Sequence, residues 1–408
     1  MTSPTASPRH APLSYTAFVI LTGALMGMNP LAIDIMLPGF DLMTDHFGLQ
    51  NPNRVQQVIT AYLLGFGIGQ LFVGVFADRF GRKPILLWGI ALYGVTGLAC
   101  VAATSFELLL AARFVQGVAS AAPRVASTAM VRDCYDGRVM ARVMSLALTF
   151  FMAVPLMAPL IGQILILLAP WQSVFLFLSF YAAVVALICW RSLPETLAPE
   201  HRRAIRWAPV QDALGAILRS RQTVGYSIAA GVFFGALFGF VNSAQQIMVG
   251  LFGLGPLFPV VFAIIAFGVS LSAFVNAQLV ERMGMRRISH GAIFAFIGLS
   301  LVMLGIELAG LRSLWSFLPV FSLQMLVIGL VFSNFNALAM EPQGRIAGMA
   351  SSFVGAASVL IGALVGFAIG AAYDGTLLPL SIGFTLCGLV VLALLVWTER
   401  GRLFGAKG

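Results

Sequence analysis

Three charged side chains stand inside stretches otherwise apolar enough to lie in a bilayer. They are Asp34, in MNPLAIDIMLPGF, and Arg113 and Arg124, in ARFVQGVASAAPRVASTAMVRD. Ionisable groups at such positions are costly, so each is a functional hypothesis by default. Asp34 sits among apolar neighbours between Pro30 and Pro38, which loosen a helix and free backbone groups. A carboxyl there is disfavoured as the anion unless a cation is near, which suits a proton carrier. If the run with Asp34 rises through the membrane and the run with Arg113 descends, the two lie at similar depth. An Asp34–Arg113 pair that opens on protonation and re-forms on release is then the expected two-state switch. A fixed structural ion pair is the competing reading. Arg124 follows on the same helix face, about 20° from full turns and roughly 16 Å further along. It has no evident carboxylate partner. Two readings stay open: it holds an anionic or strongly polar substrate group, or it snorkels to the surface.

The second half of the chain has no such charge but carries neutral polar groups. Asn242 and Gln245 share a helix face, as do Phe332 and Asn336. With Phe233 and Phe234 they form a mixed aromatic–polar wall suited to amphipathic, uncharged compounds. Packing glue between helices is the alternative for any one of them. In AVPLMAPLIGQ, Pro155 and Pro159 stack on one face beside Gly162. That face is expected to kink its helix and act as a hinge or a tight seal between halves.

The elements that must position these residues follow from composition. Of 408 residues, 60% are hydrophobic and 10% charged, against roughly 25% charged in soluble proteins. The fold class is therefore an all-α membrane protein. Twelve apolar runs are each long enough to span: 14–38, 54–76, 84–104, 106–130, 140–168, 171–191, 222–249, 256–280, 288–309, 313–340, 345–372 and 377–398. They group as an N-terminal six-helix bundle (14–191) and a C-terminal one (222–398). A Pro-bearing basic linker (192–221) joins them, with a disordered tail at 1–13 and a second tail at 399–408. The first run is too long for a cleaved signal peptide.

Between the second and third runs lies GVFADRFGRKP, Gly74–Pro84, a tight polar turn with Asp78, Arg79, Gly81, Arg82 and Lys83. It is expected to gate: Asp78 facing the helix that starts near Arg345, and Arg82 and Lys83 reaching Asp133 or Asp136, contacts that form when the inside is closed and break when it opens. A degraded copy, VERMGMRR, stands at Val280–Arg287 with Gly284 in the place of Gly81. The offset is close to half the chain, as in a duplicated transporter. With both termini inside, 20 of the 24 Lys and Arg residues fall in inner segments, which satisfies the positive-inside rule. The net charge of +9 needs no nucleic-acid partner. No Walker loop, HExxH, nucleophile elbow or C-x-x-C is present, and Cys100, Cys134, Cys189 and Cys387 are scattered. Neither an enzyme nor a metal protein is expected.

The 74–84 turn resembles the signature loop of the major facilitator superfamily. RFVQG at Arg113–Gly117, VRD at Val131–Asp133 and APLIGQ at Ala158–Gln163 are similar to its drug:proton antiporters. PLAIDIMLP at Pro30–Pro38 and AGMASS at Ala347–Ser352 resemble the bicyclomycin and chloramphenicol resistance (Bcr/CflA-like) branch. The chain departs from the branch at Arg124, Thr128 and Gln163. The resemblance implies two six-helix bundles, Asp34 as the protonation and drug-binding acid, Arg113 as the proton relay, and Asp78 as the gating aspartate. The expectation is a proton-coupled multidrug exporter in a bacterial inner membrane, with both termini cytoplasmic. It would act as a monomer in lipid, with the proton as coupling ion and no other cofactor. The alternative is a proton-coupled carrier of one specific metabolite, an anion among the options.

Overall fold

The computed structural model describes residues 13–202 and 207–405. Most of the expected tail at 1–13, part of the linker and the last three residues lie outside the described residues. In hydrocarbon a chain must satisfy its own backbone groups, and an apolar run of about 20 residues does so as a helix. Twelve helices of twenty residues or more result among the described residues. They are α1 (Tyr15–Asp34), α2 (Gln57–Phe80), α3 (Arg82–Val101), α4 (Phe106–Cys134), α5 (Gly137–Leu168) and α6 (Ser173–Ser192). The second six are α7 (Arg221–Gln245), α8 (Phe258–Met283), α9 (Met285–Leu308), α10 (Leu314–Met340), α11 (Ala347–Ala371) and α12 (Leu378–Thr398). Eleven helical segments are apolar enough to span on composition alone. The exception is α4, whose charges dilute its hydropathy although its 29 residues give a length of about 43 Å.

Within the first six helices, α2 and α3 pack on α4, α3 on α6, and α1 on α5. Within the last six, α7 packs on α10, α11 and α12, α9 on α10 and α12, and α8 on α10. Two pairs join the groups: α2 against α11, and α5 against α8. Side chains such as Trp88, Leu168 and Trp315 are exposed outward, where lipid rather than water covers them. The α2–α4 seam is close. A Cβ on Gly65 would come within 2.0 Å of the Phe114 carbonyl oxygen, and one on Gly117 within 2.0 Å of the Tyr62 oxygen. Glycine at both places lets the two backbones touch and brings Arg113 into the middle of the bundle.

The α2–α3 and α8–α9 turns, at Gly81 and Gly284, mark one end of the molecule, here the loop end. The other is the far end. One element differs from expectation. The linker is not all irregular: Trp207–Arg219 is a helix lying against α7 and α11. Its Ala213 and Ile217 are buried. Four apart, they form its buried face, and Pro209 sits in its first turn, where a proline is tolerated.

Candidate functional site

A cavity of about 2390 Å³ runs between the two groups of helices, from Asp34 at the end of α1 down to Arg82, Glu195 and Leu214 at the loop end. At the far end the groups are in contact. Gln56 donates to Gln246 (2.6 Å), which donates to Asn53 (2.8 Å). Asn53 in turn donates to the carbonyls of Ala371 (3.1 Å) and Tyr373 (2.8 Å). Tyr373 closes the circuit on the Gln246 carbonyl (3.1 Å), and Gln245 donates to Asp41. The structure is thus open at the loop end and sealed at the far end.

Asp34 lines this cavity and makes no hydrogen bond or ion pair among the described residues, although only 6% of it is exposed. It is the last residue of α1, which gives way to a 3₁₀ turn at Leu37–Gly39 with Pro38 at its centre. The expected Asp34–Arg113 ion pair is not formed. Arg113 is fully buried and gives its donors elsewhere: to the Ala32 carbonyl (3.0 Å), the Val58 carbonyl (3.3 Å) and Gln116 Oε1 (2.7 Å). Its guanidinium lies 4.3 Å from the Tyr62 ring centre and 5.7 Å from that of Phe175. The expected depth is right, since Arg113 grips α1 two residues before Asp34. The physical reason for the difference is that carbonyls in the last turn of a helix lack intrahelical donors. Ala32 offers such a carbonyl on the protein side of α1, while Asp34 turns to the cavity. Hydrogen bonds from a charged donor contribute about 1.5–3 kcal/mol each, enough together to offset burying this cation without an acid.

Arg124 also lines the cavity, with its guanidinium 5.0 Å from the Phe151 ring centre and its Nη1 sealed without a hydrogen-bond partner. Across from it, Phe332 stacks on Phe234 at 4.7 Å, and Asn336 donates to the Phe332 carbonyl (2.8 Å). Phe332 and Asn336 therefore sit on the cavity wall. Asn242 and Gln245 do not, which corrects the expectation for them. At the far end Gln245 binds Asp41 of the first half, while Asn242 abuts Gly370 of α11 in its own half.

A family profile described as Major Facilitator Superfamily matches residues 19–367. The chain belongs to the major facilitator superfamily. It is 30% identical over 388 residues to the bicyclomycin resistance protein homolog of Haemophilus influenzae, covering 93% of this chain and 95% of that protein. The chloramphenicol resistance protein of Pseudomonas aeruginosa is 27% identical over 339 residues, covering 82% and 78%. These relatives agree with the branch that the Pro30–Pro38 and Ala347–Ser352 strings resemble. The crystal structure of a D-xylose-proton symporter shares the fold, with a TM-score of 0.74 at 14% identity over 97% of this chain and all of that one.

The signature loop of this superfamily member is built from the turn upward. Gly81 has φ +104°, and a Cβ there would fall 2.2 Å from Glu195 Oε2. Glu195 uses that space to accept the Arg82 (2.9 Å) and Lys83 (3.3 Å) backbone N–H groups, capping α3. Arg82 bonds Asp133 (3.2 Å) and Asp78 (2.5 Å), and Thr196 donates to Asp133 (3.0 Å). The Arg82–Asp133 contact is formed while the loop end is open, which corrects the expectation that such contacts form on closure and break on opening. Asp78, expected to face the start of α11, turns to Arg82 in this loop-end-open conformation. Lys83 reaches the Trp190 carbonyl (2.9 Å) rather than an acid, and Arg79 is exposed. In the superfamily member's second half, Arg286 bonds Glu341 (2.8 Å) and Glu399 (3.0 Å). Tyr226 donates to Glu399 (2.7 Å) and meets His290 Nε2 (3.2 Å), while the Phe404 N–H donates to His290 Nδ1 (3.0 Å).

On α5, Pro155 lines the cavity, and Pro159 and Gly162 are buried. A Cβ on Gly162 would strike the Ile35 oxygen at 1.9 Å. That corrects the expected seal between halves: this face closes on α1 of its own half. The α5–α8 contact across the halves passes instead through Ser270, which donates to the Met152 carbonyl (3.4 Å). Sequence reasoning missed Glu195 and the far-end amides. The first stands over a hundred residues from the loop it caps, and Asn and Gln scattered along a chain give no periodic signal.

Proposed function

We propose that this chain is a proton-coupled exporter of amphipathic small molecules, acting by alternating access in a bacterial inner membrane with the loop end and both termini on the cytoplasmic side. The observation that carries it is Asp34: a single unpartnered carboxyl at the closed end of a large, mostly apolar cavity. The bicyclomycin and chloramphenicol resistance relatives support the drug-export reading, and the Lys and Arg bias toward the loop end supports the orientation. In the structure's loop-end-open form, a substrate enters from the cytoplasm, and Asp34 gives up its proton to that side as the substrate settles. After the cavity turns outward, a proton from outside returns to Asp34 and the substrate leaves. Arg113 holds the end of α1 to α2 and α4, so that Asp34 keeps its place through the cycle. Lipid surrounds a single copy.

The test is proton release from purified protein on adding a hydrophobic cation or a neutral phenicol-type compound. Release from wild type and none from Asp34→Asn is expected. Equal release from both, or none from wild type, ends the reading.

A further inference from the structure

The two arginines within α4, Arg113 buried and Arg124 half-buried, have opposite surroundings. Arg113 shows how this bundle accommodates an arginine that serves the fold: three acceptors and two rings take up its donors and its charge. Arg124 has none of those acceptors. Its Nη1 is sealed without a partner, its only ring is Phe151, and the rest of the guanidinium faces the cavity. Nearby hydroxyls do not serve it: Ser127 and Thr128 donate to its backbone carbonyl (3.2 and 3.0 Å), and neither accepts from its guanidinium among the described residues.

The other charged groups on the cavity wall are accounted for. Arg82 is bound to Asp78 and Asp133, Glu195 caps α3, and Arg132 is exposed at the mouth. Asp34 lies near the depth of Arg113, roughly 16 Å along the helix axis from Arg124, too far to pair. A guanidinium is a rigid fork of donors that matches a planar or tetrahedral oxyanion with two parallel hydrogen bonds. Leaving it without an acceptor in a low-dielectric wall is costly.

We propose that Arg124 is an oxyanion receptor in the lower cavity, and that the substrates include amphipathic organic acids. A carboxylate, phosphate or sulfonate docks on the guanidinium while the aromatic body lies between Phe151 and the Phe234–Phe332 stack. This rests on the export reading for direction, but the subsite stands on the Arg124 geometry alone.

The test uses purified full-length protein and a fluorescent naphthalenesulfonate, paired with the uncharged naphthalenesulfonamide of the same shape. The quantity read is the ratio of their affinities. In wild type the sulfonate binds the tighter; in Arg124→Gln the ratio falls at least tenfold, and in Arg124→Lys it falls less, because a point charge replaces the fork. An unchanged ratio in Arg124→Gln overturns the proposal, as does a wild type that binds only the sulfonamide. Should Arg124→Gln not survive purification, an unchanged ratio in Arg124→Lys overturns it equally. Proton release by a neutral compound from the same wild-type sample reads the export proposal separately. Sulfonate selectivity without that release keeps the Arg124 subsite and removes coupled export.

Discussion

The two halves share a plan and divide the chemistry. Each carries a glycine turn at the loop end, followed by a basic residue clamped between acids: Arg82 with Asp78 and Asp133, and Arg286 with Glu341 and Glu399. Inside the membrane they diverge. The first half holds Asp34, Arg113 and Arg124; the second offers stacked aromatics and amides that donate within that half, such as Gln324 to Ser300 (2.9 Å) and Asn334 to Asn276 (2.6 Å). One half can thus take up charge changes while the other supplies a wall that accepts varied shapes. The shared plan forms the frame, and the charged sites belong to one half.

If that division is right, the most damaging change is Asp34→Asn, which should reduce proton-driven transport in proteoliposomes to background. Residual coupled transport would show that a second-half group carries protons too. The turns should differ next. Gly81 and Gly284 both have backbone angles open only to glycine, which cost another residue about 1–3 kcal/mol. Only at Gly81 does a Cβ also meet Glu195, and losing that cap adds about 1 kcal/mol. Gly81→Ala should therefore lower the melting temperature in detergent more than Gly284→Ala; equal losses would mean that the Glu195 cap contributes nothing. Phe332→Ala removes an aromatic stack of about 1 kcal/mol and should weaken aromatic substrates about five- to tenfold, leaving proton release per bound substrate unchanged.

The smallest effect concerns pH. Burial disfavours the Glu399 carboxylate, but its hydrogen bonds with Tyr226 and Arg286, and the Arg286 charge, outweigh that and hold its pKa below the ordinary value. Such a carboxyl stabilises the folded state fully above the unfolded pKa, and the contribution is lost as pH falls through the folded one. Melting curves of wild type should lose this increment below about pH 4.3, and Glu399→Gln should lack it at every pH. A variant with the same acid sensitivity as wild type would remove Glu399 from the account.

Much of the frame was legible because lipid leaves so few options. Runs of twenty apolar residues became helices, and even α4 was readable despite Arg113 and Arg124. The depth of Asp34 relative to Arg113 was legible from counting turns. Which side of α1 each group meets was not, because the Ala32 carbonyl that captures Arg113 is backbone and leaves no trace in residue type. Asn242 and Gln245 show the same limit: spacing gave a shared face, but only the packing of α7 decides what that face touches. The Trp207–Arg219 helix was readable from Ala213 and Ile217, four apart, and the prolines of the linker masked it.

The far-end seal has a consequence for the conditions the protein can tolerate. Asn53, Gln56, Gln246 and Tyr373 hold it with neutral donors and acceptors, and Asp41 is the one carboxylate among its bonds. Amide contacts change little with acidity or ionic strength, unlike the ion pairs at the loop end. With the far end facing outward, as proposed, a cell in sour or brackish surroundings would keep a door of nearly constant strength. On the proposed function the medium changes how often Asp34 is loaded, so the gradient would act on the cargo exchange without also loosening the latch.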